Sequence, residues 1–266
     1  MKMLLILENN TDMKKSDSFK YNLSVIMANF NHAEFLENRI KSFFNQTLPP
    51  AEVIVVDDCS TDDSLMILDA LTKKYINLIV LTNPKNIGPV ESIRIAQSKS
   101  TSEVIYPCSC DDFIINNNFF MDVMDVFNQN IDVKIVMSRP AYSFDDDPDK
   151  HQNFKHDVPL INDGFYSDND YVNLQRKKYF HIWGHSSVYL KKAIDSFGGF
   201  NPKHKLYCDW YINHMIALNN GFYYINKTYS SLRLSNKSYS SNSSLATRIN
   251  ALLNIGISVS KFDKIL

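Results

Sequence analysis

The stretch LSVIMANFNHAEFLENRIKSFFNQTLPPAEVIVVDDCSTDDSLMIL, residues 23–68, decides the fold. It opens with a short apolar, β-rich run, Leu23–Ala28, of the kind that forms a strand buried on both faces. Asn29-Phe30-Asn31-His32 breaks that run. From about Ala33 to Asn45, Phe35, Leu36, Ile40, Phe43 and Phe44 recur at helical spacing. Leu48-Pro49-Pro50 ends the helix, because a residue before proline is pushed out of the α region. Glu52–Val56 reads as a second buried strand. Asp57-Asp58-Cys59-Ser60 leaves it, and Ser60-Thr61-Asp62-Asp63 offers side-chain oxygens to cap a helix running to about Lys74.

The pattern repeats downstream. Ile76–Leu81 is a third strand, Asn86-Ile87-Gly88 a turn, and a helix runs to about Ser98 before a fourth strand at Glu103–Tyr106. This β-α-β-α-β-α-β series predicts an α/β fold: a Rossmann-like, doubly wound, mainly parallel sheet with helices on both faces. In such sheets ligands bind beyond the carboxyl ends of the strands. Asn29–Asn31, Asp57-Asp58 and Asp111-Asp112 all fall at that rim.

The later pattern is less regular. Helices are expected near Asn118–Gln129, Asn169–Lys178, Lys191–Ser196 and Asp209–Asn219, with strands at Lys134–Met137, Gly184–Leu190 and Gly221–Ile225. Asp145-Asp146-Asp147 reads as solvated surface in a long exposed loop. The domain is expected to span residues 22–235, with a nucleotide half at 22–116 and an acceptor half at 117–235. Residues 1–21 read as a flexible lead-in and 236–266 as a polar linker with a terminal helix. Leu245, Ile249, Leu252, Leu253 and Ile257 form an apolar stripe on that helix. The stripe needs a partner: the domain itself, a second copy in a homodimer, or a membrane. Arg248, Lys261 and Lys264 offer little positive charge to anionic lipid.

Composition narrows the class. The 266 residues suffice for one α/β domain with a small annex, and 44% hydrophobic content is ordinary for a soluble globule. A net charge of −1 gives no broad basic field, so nucleic acid is not an expected partner. No apolar run approaches the roughly 20 residues that span a bilayer. The opening Met1-Lys2-Met3-Leu4-Leu5-Ile6-Leu7 has too short an apolar core for a secretory signal. Cys59, Cys108, Cys110 and Cys208 are scattered, read as reduced thiols in a cytosolic protein, and lack the spacing of a structural zinc site. A cytoplasmic location is expected, with peripheral contact at the inner membrane face as its variant.

Cys108-Ser109-Cys110-Asp111-Asp112-Phe113 follows the apolar run Val104-Ile105-Tyr106. Two adjacent carboxylates at the end of a buried strand are costly when bare, since water is scarce and like charges repel. A hard divalent cation, Mg²⁺ or Mn²⁺, removes that cost, and a diphosphate site needs such an ion. The bland alternative is a solvated Asp-Asp turn.

Together these segments resemble the inverting glycosyltransferases of family 2, which have the GT-A fold. Ala28-Asn29-Phe30-Asn31, Asn45-Gln46-Thr47 and Val56-Asp57-Asp58-Cys59-Ser60-Thr61-Asp62 correspond to that family's opening phrases. The likeness resumes at Asn86-Ile87-Gly88, Asp111-Asp112, Gly198-Gly199-Phe200 and Cys208-Asp209-Trp210. Three departures stand out. The first acid of the family's metal motif is absent from Ser109-Cys110-Asp111-Asp112. Arg94 is one residue out of step with the family's Arg-Asn pair. A late histidine is replaced near Ser235.

The resemblance implies a metal-dependent enzyme that moves a sugar from a nucleoside diphosphate, UDP above all, to a glycan or lipid-linked acceptor. Such chemistry serves cell-surface polysaccharide synthesis. It implies Asp209 as general base, Asp112 as ligand to Mn²⁺ or Mg²⁺, and Asp111 on the ribose. Asp58 is expected to accept from the uracil N3–H, Asp57 to support its loop, and Phe30 to stack on the base. Ala28, Asn31 and Arg94 complete the expected nucleotide contacts, and His181, Trp183 and His185 lie where an acceptor belongs. Cys108 and Cys110 read as space-filling. A sugar-1-phosphate nucleotidyltransferase is disfavoured, because Asn29–Ala33 has neither Gly nor Lys to hold a triphosphate. An inactive nucleotide-sugar-binding module is the remaining alternative.

Overall fold

The computed structural model describes residues 19–130, 132–143, 151–153, 160, 162–177, 180–234 and 243–259. The Asp145–Asp147 run, residues 235–242 of the linker, Lys261, Lys264 and the first 18 residues lie outside that set.

The first half follows the sequence pattern. It runs β1 (Leu23–Asn29), α1 (Ala33–Phe44), β2 (Glu52–Asp57), α2 (Ser64–Lys74), β3 (Leu78–Thr82), α3 (Pro89–Lys99) and β4 (Val104–Ser109). β1 lies between β2 and β4, parallel to both, and β3 extends the sheet beyond β2. The register sets Asn29 beside Asp57, and Ala28 beside both Val56 and Ser109. The rim clusters therefore meet at one edge. Alternate residues of these strands face opposite layers, as the pleat requires. Val25, Met27, Val53, Val55 and Tyr106 pack in one core with Leu36, Ile40, Phe43 and Phe120. Ile26, Ile54, Val56 and Ile105 pack in the other with Ala96, Ile194, Ile212 and Ile216.

α2 begins directly after its capping run, with Asp63 at the N-cap position. The Asp63 side chain makes no cap bond; Asp62 Oδ1 accepts the backbone N–H of Ser64 at 3.0 Å instead. Nor is the end of the lead-in loose: Phe19 and Tyr21 pack on the first core, and the Lys20 N–H donates to Asn128 Oδ1 at 3.1 Å.

The second half comprises β5 (Phe113–Ile114), α4 (Phe119–Gln129), β6 (Ile135–Ser143), β7 (Gln152–Asn153), β8 (Gly164–Tyr166), α5 (Asp168–Lys177), β9 (Ser187–Leu190), α6 (Lys191–Ser196), α7 (Cys208–Asn220), β10 (Phe222–Arg233) and α8 (Leu245–Val259). Short 3₁₀ turns, Gly184–Ser186 and Pro202–Tyr207, precede β9 and α7. Here the sheet is mixed. β9 inserts between β4 and β6 and runs antiparallel to both. β10 is twelve residues long, far beyond the expected Ile225, and runs parallel to β6 with two register shifts. Its far end pairs with β5, setting Ser230 beside Ile114 and Ser231 beside Phe113.

The terminal helix corrects a sequence expectation. It does fold back, but on its other face: Ala251 and Ile255 are buried, and α8 packs against the Pro202–Tyr207 turn. His204 Nε2 lies 2.8 Å from Ser258 Oγ across that contact. Leu245, Ile249, Leu252, Leu253 and Ile257 point outward and are exposed, 49% at the least. Helical spacing marks a stripe as apolar; it does not say which side meets the domain. Among the described residues no helix is long and apolar enough to cross a membrane.

Candidate active site

The rim is built on side-chain ties between loops. Asn29 Nδ2 donates to Asp57 Oδ1 at 2.7 Å, and Asp57 takes the Ser60 N–H and hydroxyl at 2.9 and 2.6 Å. Asp57 thus braces the loop after β2. Asn31 sits in the left-handed region (φ 54°), and its Oδ1 accepts the Thr61 N–H at 2.7 Å. Phe30, beside it, is 40% exposed, so its ring is a rim surface and not core.

Asp58 is bonded to the loop after β3. Its Oδ1 accepts from Asn83 Nδ2 (2.8 Å) and the Ile87 N–H (2.9 Å), and its Oδ2 from the Gly88 N–H (2.7 Å). The buried carboxylate therefore ties down the Asn83–Gly88 loop, with one lone-pair position on Oδ2 left over. Arg94 is placed elsewhere. Its Nε donates to Glu91 Oε2 at 3.0 Å, and it lines a separate groove with Gln97, Lys191 and Asp195. A one-residue step on a helix turns a side chain by about 100°, and it is Ile93 that faces the site.

Asp112 is buried just beyond β4. Its Oδ1 accepts the Arg233 N–H at 3.1 Å, while Arg233 Nε donates to the Asp111 carbonyl at 2.9 Å. Arg233 is stacked between Phe35 and Phe113, at 4.0 and 4.7 Å from their ring centres. Behind the segment lies Arg39, 3% exposed, whose Nε donates to the Ser109 carbonyl at 3.1 Å and whose guanidinium sits over Phe43. Burial pushes the Asp112 carboxyl up to about 7; Asp111 adds to that rise, and the Arg39 and Arg233 charges oppose it.

The residues present fit a divalent ion. Asp112 Oδ1 accepts the Arg233 N–H at the edge of the cavity, and Mg²⁺ commonly takes one or two carboxylates plus substrate phosphates. Among the described residues no group of three or more His, Cys, Asp or Glu gathers into a full metal cage. Neither arginine is signalled in the sequence. Arg39 reads as one polar position in an amphipathic helix, and Arg233 lies past the end expected for its strand.

A cavity of about 200 Å³ opens beside Asp112. Asp112, His185, Lys205 and Asp209 line it together with Pro89, Ile93 and Cys108. Asp209 stands in the first turn of α7, with Oδ1 accepting the Trp210 N–H at 2.8 Å. Burial raises its pKa above the usual carboxylate range. Tyr189 OH donates to Asn213 Oδ1 at 2.6 Å and Asn213 Nδ2 to the Ile182 carbonyl at 2.7 Å, fixing α7 against β9 and the preceding loop.

Of the three acceptor candidates, only His185 is among the residues lining this cavity. Burial, then the neighbouring His181, holds its pKa down to about 3, so the ring is neutral, and among the described residues its Nε2 has no hydrogen-bond partner. Trp183 packs between the two histidines, its ring centre 4.5 Å from that of His181 and 5.9 Å from that of His185. Cys110 is buried as space-filling, whereas Cys108 contributes to the cavity wall.

A parallel half joined to a mixed half, with acids from both meeting at the carboxyl edge of the sheet, defines the GT-A class of α/β proteins. Glycosyl transferase family 2 matches residues 24–198, more than half of the sequence, and the chain belongs to that family. It is 38% identical over 95 residues to the cholesterol galactosyltransferase of Borreliella burgdorferi, a match covering 36% of this chain and 26% of that protein. It is 34% identical over 99 residues to the poly(ribitol-phosphate) beta-glucosyltransferase of Bacillus spizizenii, covering 35% of this chain and 15% of that one. The matches therefore span well under half the length of either relative.

Among solved structures, residues 1–349 of S. aureus TarS in complex with UDP-GlcNAc superpose with a TM-score of 0.69 at 17% identity, covering 90% of this chain and 66% of that chain. The mannosyltransferase PcManGT of Pyrobaculum calidifontis, in complex with GDP-Man and Mn²⁺, gives 0.60 at 16% identity, covering 91% and 65%. At these identities the likeness carries the fold.

Proposed function

We propose that this protein transfers a sugar from a nucleoside-diphosphate sugar, UDP-linked, to a glycan or lipid-linked acceptor with inversion at the anomeric carbon. The observation that carries the reading is one cavity walled by two acids from different halves: Asp112 from the end of β4 and Asp209 from the start of α7. The relatives' names, which place sugars on cholesterol and on poly(ribitol phosphate), support acceptors of the lipid and surface-polymer classes.

Asp209 is the general base. Its Oδ1 is held by the Trp210 N–H, so Oδ2 takes the proton of the attacking hydroxyl. The new bond forms between that hydroxyl oxygen and the anomeric carbon. The bond to the diphosphate breaks, and its electron pair leaves with the nucleotide. A pKa raised by burial brings the base nearer to working pH, where proton transfer is most effective. Asp112 would hold Mn²⁺ or Mg²⁺, with Asp111 on the ribose; such an ion, when bound, would supply positive charge against the departing diphosphate. Phe30 offers an exposed ring to the base, beside two loops, one held by Asp57 and the other by Asp58. The bare Nε2 of His185 accepts from a sugar hydroxyl, and His181 and Trp183 back it.

Release of free sugar from UDP-sugars in the presence of Mn²⁺, measured for the wild type and for Asp209→Asn, tests the reading. The variant is expected to keep UDP binding and to lose ~10²-fold or more in turnover. Wild-type protein that binds UDP yet never turns over a donor, across a panel of UDP-sugars and acceptors, would leave a binding module in place of an enzyme.

A further inference from the structure

Lys205 sits in the Pro202–Tyr207 turn with φ 51° and ψ −127°, the non-helical residue at which that turn kinks. A Cβ makes this conformation costly, whereas glycine adopts it freely. The surroundings hold it in place. Asn201 Oδ1 accepts the Lys203 N–H at 3.0 Å, the Lys205 carbonyl accepts the Cys208 N–H, and the buried His204 next to it packs at a tilt against Tyr211 and meets Ser258 of α8. If the chain needed only the turn, glycine would serve at lower cost. A side chain kept there against strain is there for what it does.

What it offers is charge. Among the described residues Lys205 is the one Lys or Arg lining the cavity of Asp112 and Asp209, it is exposed, and its ammonium has no ion-pair partner there. We propose that Lys205 binds a phosphate oxyanion at the mouth of this cavity, and that the strained turn, braced by α8, presents it there. The inference rests on the donor-site reading above, in which phosphate is the anion brought to the site. The phosphate belongs either to the donor's diphosphate or to a phosphate-bearing acceptor.

Titration calorimetry with UDP, uridine and glycerol 3-phosphate, in Mn²⁺, separates the cases. Wild-type protein should bind UDP more tightly than uridine; if it does not, the donor-site reading fails on the wild type alone. In Lys205→Ala a UDP affinity reduced about tenfold, with uridine unchanged, assigns the donor diphosphate. Unchanged UDP affinity with loss of glycerol 3-phosphate binding assigns the acceptor. Lys205→Arg should stay within about threefold of wild type for the affected ligand. No change in either phosphate ligand overturns the proposal.

Lys205→Gly checks the strain and is the variant least prone to misfold. It should lose affinity as Lys205→Ala does while melting a few degrees higher than either Lys205→Ala or wild type. A Gly variant that melts no higher than the Ala variant overturns the strained-turn half of the proposal.

Discussion

A Cβ on residue 184 would lie 2.5 Å from Oδ2 of Asp209, so the bare backbone of Gly184 is what leaves that carboxylate its place in the cavity wall. The two residues belong to different elements, a 3₁₀ turn and the start of α7, and the contact fixes their separation.

Gly184→Ala should therefore push Asp209 aside. A displacement near 1 Å of a catalytic group costs on the order of 10²-fold in rate. Steady-state kinetics should show a fall of that size with UDP binding kept. Wild-type turnover in the variant would mean that Oδ2 has no fixed position to lose.

Asp112→Asn should abolish the gain in UDP affinity that Mn²⁺ gives. Titrations with Mn²⁺ and with EDTA, on both proteins, measure it. Equal UDP affinity under the two conditions in wild type would remove Asp112 from metal binding.

Acid should destabilise the fold through its buried histidines. His185 is held at about 3 and His214 at about 4, both by burial first, against about 6.5 in an unfolded chain. Between pH 6.5 and those values the unfolded chain binds more protons, so stability falls as pH falls, by at most about 1.4 kcal/mol per pH unit for each histidine. Asp112, raised to about 7, works in the opposite direction over much of that range. The clean readout is a difference of slopes: urea midpoints from pH 7 to 5 should change less steeply in His185→Gln than in wild type. Parallel slopes would show that His185 takes up a proton without unfolding.

A chain ending at Ser243 loses the buried Ala251 and Ile255 and the contact of Ser258 with His204. One buried Ile side chain contributes about 1.5–3 kcal/mol, so the melting temperature should fall by several degrees. The deletion also frees the Pro202–Tyr207 turn, and turnover should fall with it. An unchanged melt would mean that α8 contributes nothing to the domain.

Much of this was legible in the order of residues. Val25–Ala28 and Val53–Val56 are continuous apolar runs, and the helix between them repeats at 3.6 residues. These are local signals, and right-handed crossovers then leave few ways to join them. That alone set Asn29–Asn31, Asp57-Asp58 and Asp111-Asp112 at one rim. The later half was harder because its pairings are not local. Nothing near Ser187–Leu190 says that this strand slips between β4 and β6.

The sequence by itself determined a βαβ half with acids at its carboxyl edge, because periodicity and turn chemistry act over a few residues. Only the tertiary structure decided which charges meet. Arg233 reaches Asp112 across 121 residues, through a strand that outruns its apolar pattern. Arg94 is turned away from the site and Ile93 toward it, a matter of one helical step. Lys205 joins Asp112 and Asp209 because a kinked turn and a terminal helix carry it to the cavity. Helical spacing marked the outward stripe of α8, yet the domain took up the opposite face, where Ala251 allows close approach and Ser258 reaches His204. Pattern fixes what a segment can bury; the shape and hydrogen-bonding groups of its neighbour choose the face.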